Sequence, residues 1–473
     1  MTDYDSVIVG AGPNGLAAGI RLAQAGRRVL VMEQADEVGG GVRSAALTLP
    51  GFTHDICSAI HPMAYASPFL GGLPLRRYGL RWVHPAAPVA HPLDGGRAVL
   101  VGRSVKETAA QFGRDAGAYY ALMAPLVRHL PQILAMFMRP WPVPAQPLTF
   151  ARFGLRALWP AAALARALFR RPEARALLAG HAAHTMVALE EPATAAAGLL
   201  LLALAHATGW PFPRGGARAI PRAMAALLCD LGGHVQTGRM VRSLDDLPPH
   251  GDALFDLTPR QLLGIAGERL PAGERAALGR FRYGPGVFKI DYAIEGDMPW
   301  AAPQCARAGT LHLGGTLDEV AESERQVAHG QVPDAPFVLL AQQSVFDRSR
   351  APVGRNAIWA YCHVPHGSAA DMTERIEAQI ERFAPGFRAR ILARSVRGPQ
   401  EMEAYNPNYI GGDINGGRQD LIQTYARPTL RRDPYATGAR GIYLCSASTP
   451  PGGGVHGMCG YYAAESALRH PPA

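Results

Sequence analysis

Lysine is almost missing from this 473-residue chain: Lys106 and Lys289 stand alone among 47 basic side chains, and the rest are arginine. Those arginines fall singly or in pairs, so a net charge of +9 comes without any run resembling a nucleic-acid-binding arm, and no nucleic-acid partner is expected. Cysteine is sparse as well. The six, at positions 57, 229, 305, 362, 445 and 459, form no C-x-x-C pair, which excludes a tight disulfide framework and suits reduced thiols in a cytoplasmic protein. No basic, apolar leader precedes the first strand, so no export signal is expected. The longest apolar run, near 195 to 205, falls well short of the roughly 20 residues that cross a bilayer. There is no nucleophile-elbow motif and no internal repeat.

What is present is 48% hydrophobic residue content in a chain long enough for two domains. The first 35 residues predict a strand over 6–9, a glycine turn, a helix over 14–25 and a strand over 28–33, the opening of an α/β doubly wound domain. From about 105 to 210 the pattern is helical and rich in Ala, Leu and Arg, broken by a proline cluster at 139 to 147 that reads as loop. Residues 215 to 244 predict a helix and then paired strands, with another strand over 252–258. Longer strands follow between 281 and 425, with one helix opening on an Asp371–Glu374 capping box. The last segment is strand, glycine loop, helix. We therefore expect a discontinuous nucleotide-binding domain (1–70, 211–265 and 425–473) with an α+β substrate or cap domain (71–210 and 266–424) inserted in two pieces.

The motif that carries chemistry is VIVGAGPNGLAAG. Gly10, Gly12 and Gly15, with Pro13 and Asn14 among them, form G-x-G-x-x-G directly after a strand and at the opening of a helix. Gly10 permits the turn, Gly12 lets backbone approach a pyrophosphate at the helix N-terminus, and Gly15 lets helix and strand pack closely. Glu33, eighteen residues past Gly15, is placed to bind an adenosine ribose.

Six residues after Glu33 comes GGGVRS. Together with GFTHDICSAIHP, RGGARAIPRAM, YGPGVFKIDYAI, NPNYIGGDINGG and STPPGGGVHGMCGYYAA, it resembles the phytoene desaturase and amine oxidase branch of the glutathione-reductase-type flavoproteins. Within that branch it is similar to the phytoene-dehydrogenase-like group that takes in the pyridine nucleotide-disulfide oxidoreductase domain-containing protein 2 type. The resemblance spans essentially the whole chain. It implies FAD as cofactor and a Rossmann-like FAD domain of the glutathione-reductase type. It also implies that Gly39, Gly40, Arg43 and Ser44 help bind FAD, and that Val241 holds the adenine through its backbone. Gly453, Gly454, Val455 and Gly457 would lie against the ribityl and pyrimidine end, with Ser446 and Ser448 where relatives carry an acidic residue. No second G-x-G-x-x-G follows a strand, so a built-in NAD(P)H domain is not expected.

In the amine oxidase branch a lysine in a glycine-apolar-apolar-Lys strand holds a water against the flavin N5, and Lys289 in GVFKI resembles it. The residues alone fit equally a solvated strand face shared by Lys289 and Asp291. His456 and His61 are the imidazoles expected near the flavin, and either could accept a proton. His363, Asp413 and Asn415 are substrate-side candidates, although the glycine-rich setting of the last two also reads as a turn with Asx bonding. His181 with His184, or His363 with His366, lacks a third metal ligand, so no metal is expected. The expected activity is oxidation of a C–H bond in an apolar, isoprenoid or other lipophilic substrate, by hydride transfer to flavin. A redox-neutral flavin-dependent isomerase and a non-enzymatic FAD-containing binding protein are the alternatives. Arginine-studded apolar helices between 120 and 170 allow peripheral contact with a membrane, and a dimer is the oligomer to test first.

Overall fold

The computed structural model describes residues 3–140 and 147–470. Most of the proline cluster at 139 to 147 lies outside them. A parallel five-stranded sheet runs in the order Ile442–Leu444, His250–Phe255, Tyr4–Val9, Val29–Met32, His234–Gln236. Helices cover it, so its inner strands are continuous apolar runs with no alternation. On one face the motif helix, Pro13–Gln24, packs against Met458–Arg469 and Ala219–Asp230. Gly460 sets the first of these approaches: a Cβ there would collide with the Asn14 carbonyl.

A mixed seven-stranded sheet runs Ile391–Arg397, Gly286–Glu295, Arg355–Val364, Val338–Ala341, Ala308–Leu313, Ala87–Leu93, Arg97–Val101. Its neighbours are antiparallel except Ala308–Leu313 beside Ala87–Leu93. One face buries Ile290, Leu311 and Ile358 with the helix Thr373–Phe383. The other lies under a helical cap that includes Ala116–Arg128, Pro172–Ala182 and Thr194–Ala207. The apolar run near 195 to 205 is the last of these helices. It is hydrophobic all round because it lies inside the cap, where Leu199, Leu202 and Leu204 are each at most 1% exposed. Among the described residues no helix is long and apolar enough to cross a membrane.

Arg350 ties together two small ribbons, Ser44–Ala45 with His54–Asp55 and Trp82–Val83 with Phe212–Pro213. Its guanidinium is buried, donating to Asp55 Oδ2 at 2.7 Å, Asp347 Oδ2 at 3.2 Å and the Pro213 carbonyl at 2.7 Å. Asp55 also accepts from Ser44 Oγ and the Ala217 amide, and Asp347 from the Gly215 amide. Burial alone would raise the Asp55 carboxyl, but the Arg350 charge and these donors outweigh it and hold Asp55 below the usual carboxylate range.

Three local expectations are corrected. The helix after Asp371 starts at Thr373, with Asp371 Oδ1 accepting from the Thr373 amide while Glu374 turns outward to Arg388, so there is no reciprocal capping box. After the helix Ala219–Asp230 a single strand, His234–Gln236, joins the sheet where paired strands were expected. The Lys289 face is not solvated: Lys289 and Asp291 are 2% and 1% exposed, because both faces of that central strand are covered.

Candidate active site

A cavity of about 280 Å³ opens at the junction of the two sheets. One wall is Gly12, Pro13 and Asn14 with Gly40, facing Ser448, Gly454 and Val455. Farther in, the lining turns apolar and aromatic, with Met63, Leu201, Trp210, Leu339 and Trp359. Strand ends of the first sheet thus supply the glycine-rich mouth, and the second sheet and its cap supply the interior.

The mouth is a cradle that side chains would fill. Gly10 has φ +102°, reserved in practice for glycine, and a Cβ at Gly15 would strike the Gly10 carbonyl. A Cβ at Gly12 would come within 2.6 Å of Asp256 Oδ2, and one at Gly40 within 3.1 Å of the Gly12 Cα. Asn14 Oδ1 is buried on this wall without a hydrogen-bond partner. Glu33 is buried at the end of its strand, its carboxylate accepting from the Ala11 amide at 2.8 Å and the Ala35 amide at 3.0 Å. Two acceptor bonds leave a carboxylate capacity for two more. These features fit a dinucleotide cofactor laid along the motif.

Sequence reasoning missed Asp256. It ends the strand beside the motif strand, and its Oδ2 accepts from the Gly15 amide at 2.9 Å, inside the first turn of the motif helix. Burial, with Glu33 nearby, pushes its carboxyl well up, toward the neutral form. The signal was available, since DALFD closes a parallel strand next to the glycine turn.

The remaining candidates divide. Gly39 supports the turn at φ +132° and donates its amide to the Ala11 carbonyl. Arg43 lies off the cavity, its Nε donating to the Gly40 carbonyl and its guanidinium 4.7 Å from the Tyr405 ring centroid. The Ser44 hydroxyl is taken up by Asp55 and the Arg218 amide. Val241 sits in the apolar cluster with Val9, Met32 and Phe255. Gly453 approaches Asn415, Gly454 reaches the cavity, and Gly457 begins the last helix at φ +71°.

His61 lies on the wall with Nε2 3.1 Å from Ser58 Oγ and Nδ1 buried and unpartnered. Burial pulls it down to about 4, so it is neutral at pH 7. His456 does not offer the free nitrogen expected of it. Its Nδ1 accepts from the Met458 amide at 3.0 Å and its Nε2 donates to the Gly452 carbonyl at 3.2 Å, which shapes the loop. Lys289 is behind the wall, ion-paired with Asp291 and 5.8 Å from the ring centroid of Trp359. Asn415 faces the cavity. Asp413 does not: its carboxylate gathers the amides of Gly284, Asn415 and Gly417, as the turn reading anticipated. His363 is buried with Nδ1 2.9 Å from both Glu324 oxygens, and His366 Nδ1 donates to the Gly284 carbonyl.

A Rossmann-type glycine cradle opens into an apolar chamber under a second sheet, and oxidoreductases stand among the chain's relatives. Residues 8–70 match the family model of the NAD(P)-binding Rossmann-like domain. Over its whole length the chain is homologous to pyridine nucleotide-disulfide oxidoreductase domain-containing protein 2 and to phytoene desaturases. It is 26% identical to the former from Rattus norvegicus, across 99% of this chain and 94% of the relative. It is 25% identical to the lycopene-forming phytoene desaturase of Pseudescherichia vulneris, across 98% of each. The fold is shared with putrescine oxidase solved with putrescine bound, at a TM-score of 0.62 and 18% identity, covering 98% of this chain and 99% of that one.

Proposed function

We propose that the chain is an FAD-dependent oxidoreductase that oxidises a C–H bond of an apolar substrate, a CH–CH dehydrogenase in type. The observation that carries this reading is the single cavity running from the glycine cradle into an apolar interior. Bound FAD would supply the two-electron acceptor. The Gly12 and Asn14 amides at the start of the motif helix would hold its diphosphate, Glu33 the adenosine ribose, and the Ser448 and Gly454–Val455 wall would close over it. Asp256, whose carboxyl burial pushes well up, would meet that diphosphate with less charge repulsion than an ordinary carboxylate. Met63, Leu201 and Leu339 exclude water from the substrate. His61 takes the substrate proton at Nδ1 while its Nε2–H donates to Ser58.

The test is anaerobic: purified protein is mixed with lipophilic alkenes, amines and cyclic ketones, and the flavin absorbance is followed. Bleaching by one of them supports the reading, and His61→Leu should slow that bleaching about 10²-fold or more at unchanged flavin content. A colourless protein that takes up no FAD on soaking overturns it.

A further inference from the structure

The deep end of the cavity is not apolar throughout. Thr310 and His184 reach its wall, and behind them lies a group of buried imidazoles: His91, His181, His312 and His363. Strand periodicity puts them together. Thr310 and His312 share one face of their strand, and Val89 with His91 shares the same face of the neighbouring strand, paired Val89 to Thr310. The helix Pro172–Ala182 and the turn Ala183–Thr185 bring His181 and His184 down onto that face. Gly180 makes the approach feasible, since a Cβ there would lie 2.8 Å from His312 Nδ1 and 2.9 Å from His91 Nδ1. The ring centroids of His181 and His184 are 4.8 Å and 5.1 Å from that of His312, and Trp210 packs beside all three.

The hydrogen-bond tally of this group does not close. His91 Nε2 donates to the Gly315 carbonyl, His181 Nδ1 to the Leu177 carbonyl, and His363 Nδ1 to Glu324. In neutral rings this leaves His91 Nδ1 and His181 Nε2 as lone-pair acceptors, and both, like His363 Nε2, are buried and unpartnered. Thr310 Oγ1 and His312 Nδ1 are also unpartnered. Burial holds His91 at about 4 and His181 and His184 at about 3, and pulls His312 well below its ordinary value, so these four rings carry no charge at neutral pH. The rings pack edge to face, and among the described residues no group of three or more His, Cys, Asp or Glu is arranged to hold a metal ion. An unmatched buried polar atom costs about 1–3 kcal/mol, and of this set Thr310 Oγ1 belongs to the cavity wall, where an occupant can pair with it.

Resting on the reading of this cavity as the substrate pocket, we infer that its deep end binds the hydroxyl of an otherwise apolar substrate, at Thr310 Oγ1 and His184. Thr310 Oγ1, unpartnered on the wall, can both donate and accept, as can the imidazole of His184 beside it, which matches a hydroxyl. The neutrality of His91, His181, His184 and His312, with Glu324 already engaged by His363, disfavours a carboxylate or an ammonium, whose desolvation nothing here repays. His184 Nε2 lies 3.1 Å from His312 Nε2, so a tautomer exchange in that pair lets His184 accept from the hydroxyl or donate to it. Anchored there, the chain of the substrate runs back past Leu201 and Leu339 toward His61 and the glycine cradle.

Calorimetric titration of the full-length purified protein with octane, 1-octanol, octanal, octanoate and octylammonium tests this. Binding heat needs no electron transfer, so failure here is distinct from failure to bleach flavin. 1-Octanol should bind roughly tenfold tighter than every other probe. Thr310→Val and His184→Phe should each remove that preference while keeping the affinity for octane. Equal affinity for octane and 1-octanol, tighter binding of the aldehyde or either charged probe, or an alcohol preference that survives in both variants would overturn the inference. The ranking in the unmodified protein stands as a test even if a variant fails to fold.

Discussion

At the scale of single residues, the retained lysine is explained by what it neutralises. Lys289 Nζ pairs with Asp291 Oδ2, while Asp291 Oδ1 is 3.6 Å from His54 Nδ1 and otherwise unpartnered. Burial lowers the Lys289 ammonium below its ordinary value, with Asp291 opposing that shift. An isolated charge in such a place is costly, so the two residues stand or fall together. Lys289→Met should lower unfolding free energy by about 3–5 kcal/mol, and Lys289→Met with Asp291→Leu should recover most of it, read by urea denaturation. Recovery in the double variant separates pairing from flavin chemistry, because a water-holding lysine would leave the double variant as slow in flavin reduction as the single one. The strand pattern GVFKIDYAI shows that Lys289 and Asp291 share a face. It cannot show whether that face meets water, because the covering layer comes from residues 44 to 57, more than two hundred positions away.

At the scale of elements, the contact between the motif helix and the helix Met458–Arg469 governs the cradle. Its narrowest point is Gly460 against the Asn14 carbonyl, and Asn14 is on the cavity wall. Gly460→Ala should therefore push the helices apart, cost about 1–3 kcal/mol and reduce flavin content, measured as melting temperature and visible absorbance of the purified protein. Gly264→Ala, inside the helix Pro259–Ala266 with nothing within 4 Å of the added Cβ, is the control and should be neutral or slightly stabilising. The first strand, glycine turn and helix were readable to within a residue or two because their signals are local: apolar run, glycine spacing, proline at the helix start. The capping box failed for a local reason as well. Asp371 can cap the Thr373 amide by itself, and Arg388, brought close by tertiary packing, offers Glu374 a better partner.

At the scale of the whole molecule, burial of imidazoles makes stability depend on pH. His61, His91, His206 and His456 are pulled down to about 4, and His181 and His184 to about 3. A histidine whose folded value lies below its unfolded 6.5 binds its proton more tightly when unfolded, so its contribution is full above about 6.5 and is lost as pH falls toward the folded value. Each such group adds a slope of up to about 1.4 kcal/mol per pH unit inside that window. Asp252, raised to about 6, and the likewise raised Asp256 and Asp413 act in the opposite direction but are fewer than the histidines. The urea midpoint should thus change little between pH 7 and 8 and fall steeply between 6.5 and 4. A midpoint independent of pH over that lower range would show that the rings are not buried neutral.

By itself the sequence determined the dinucleotide motif, the acidic residue that follows it, the α/β class and the family likeness, because each is written in residues close together in the chain or in their order along it. Only the tertiary structure decided which side chains share a cavity. His61 and Asp256 line it, while Arg43, Ser44 and His456 do not, the Arg43 Nε, the Ser44 hydroxyl and both His456 nitrogens being bonded elsewhere. The tertiary structure also gathered imidazoles from positions 91, 181, 184, 312 and 363 around Thr310. Hydrogen-bond satisfaction and burial are properties of three-dimensional neighbours, and those neighbours are brought together here by sheet pairing between segments hundreds of residues apart.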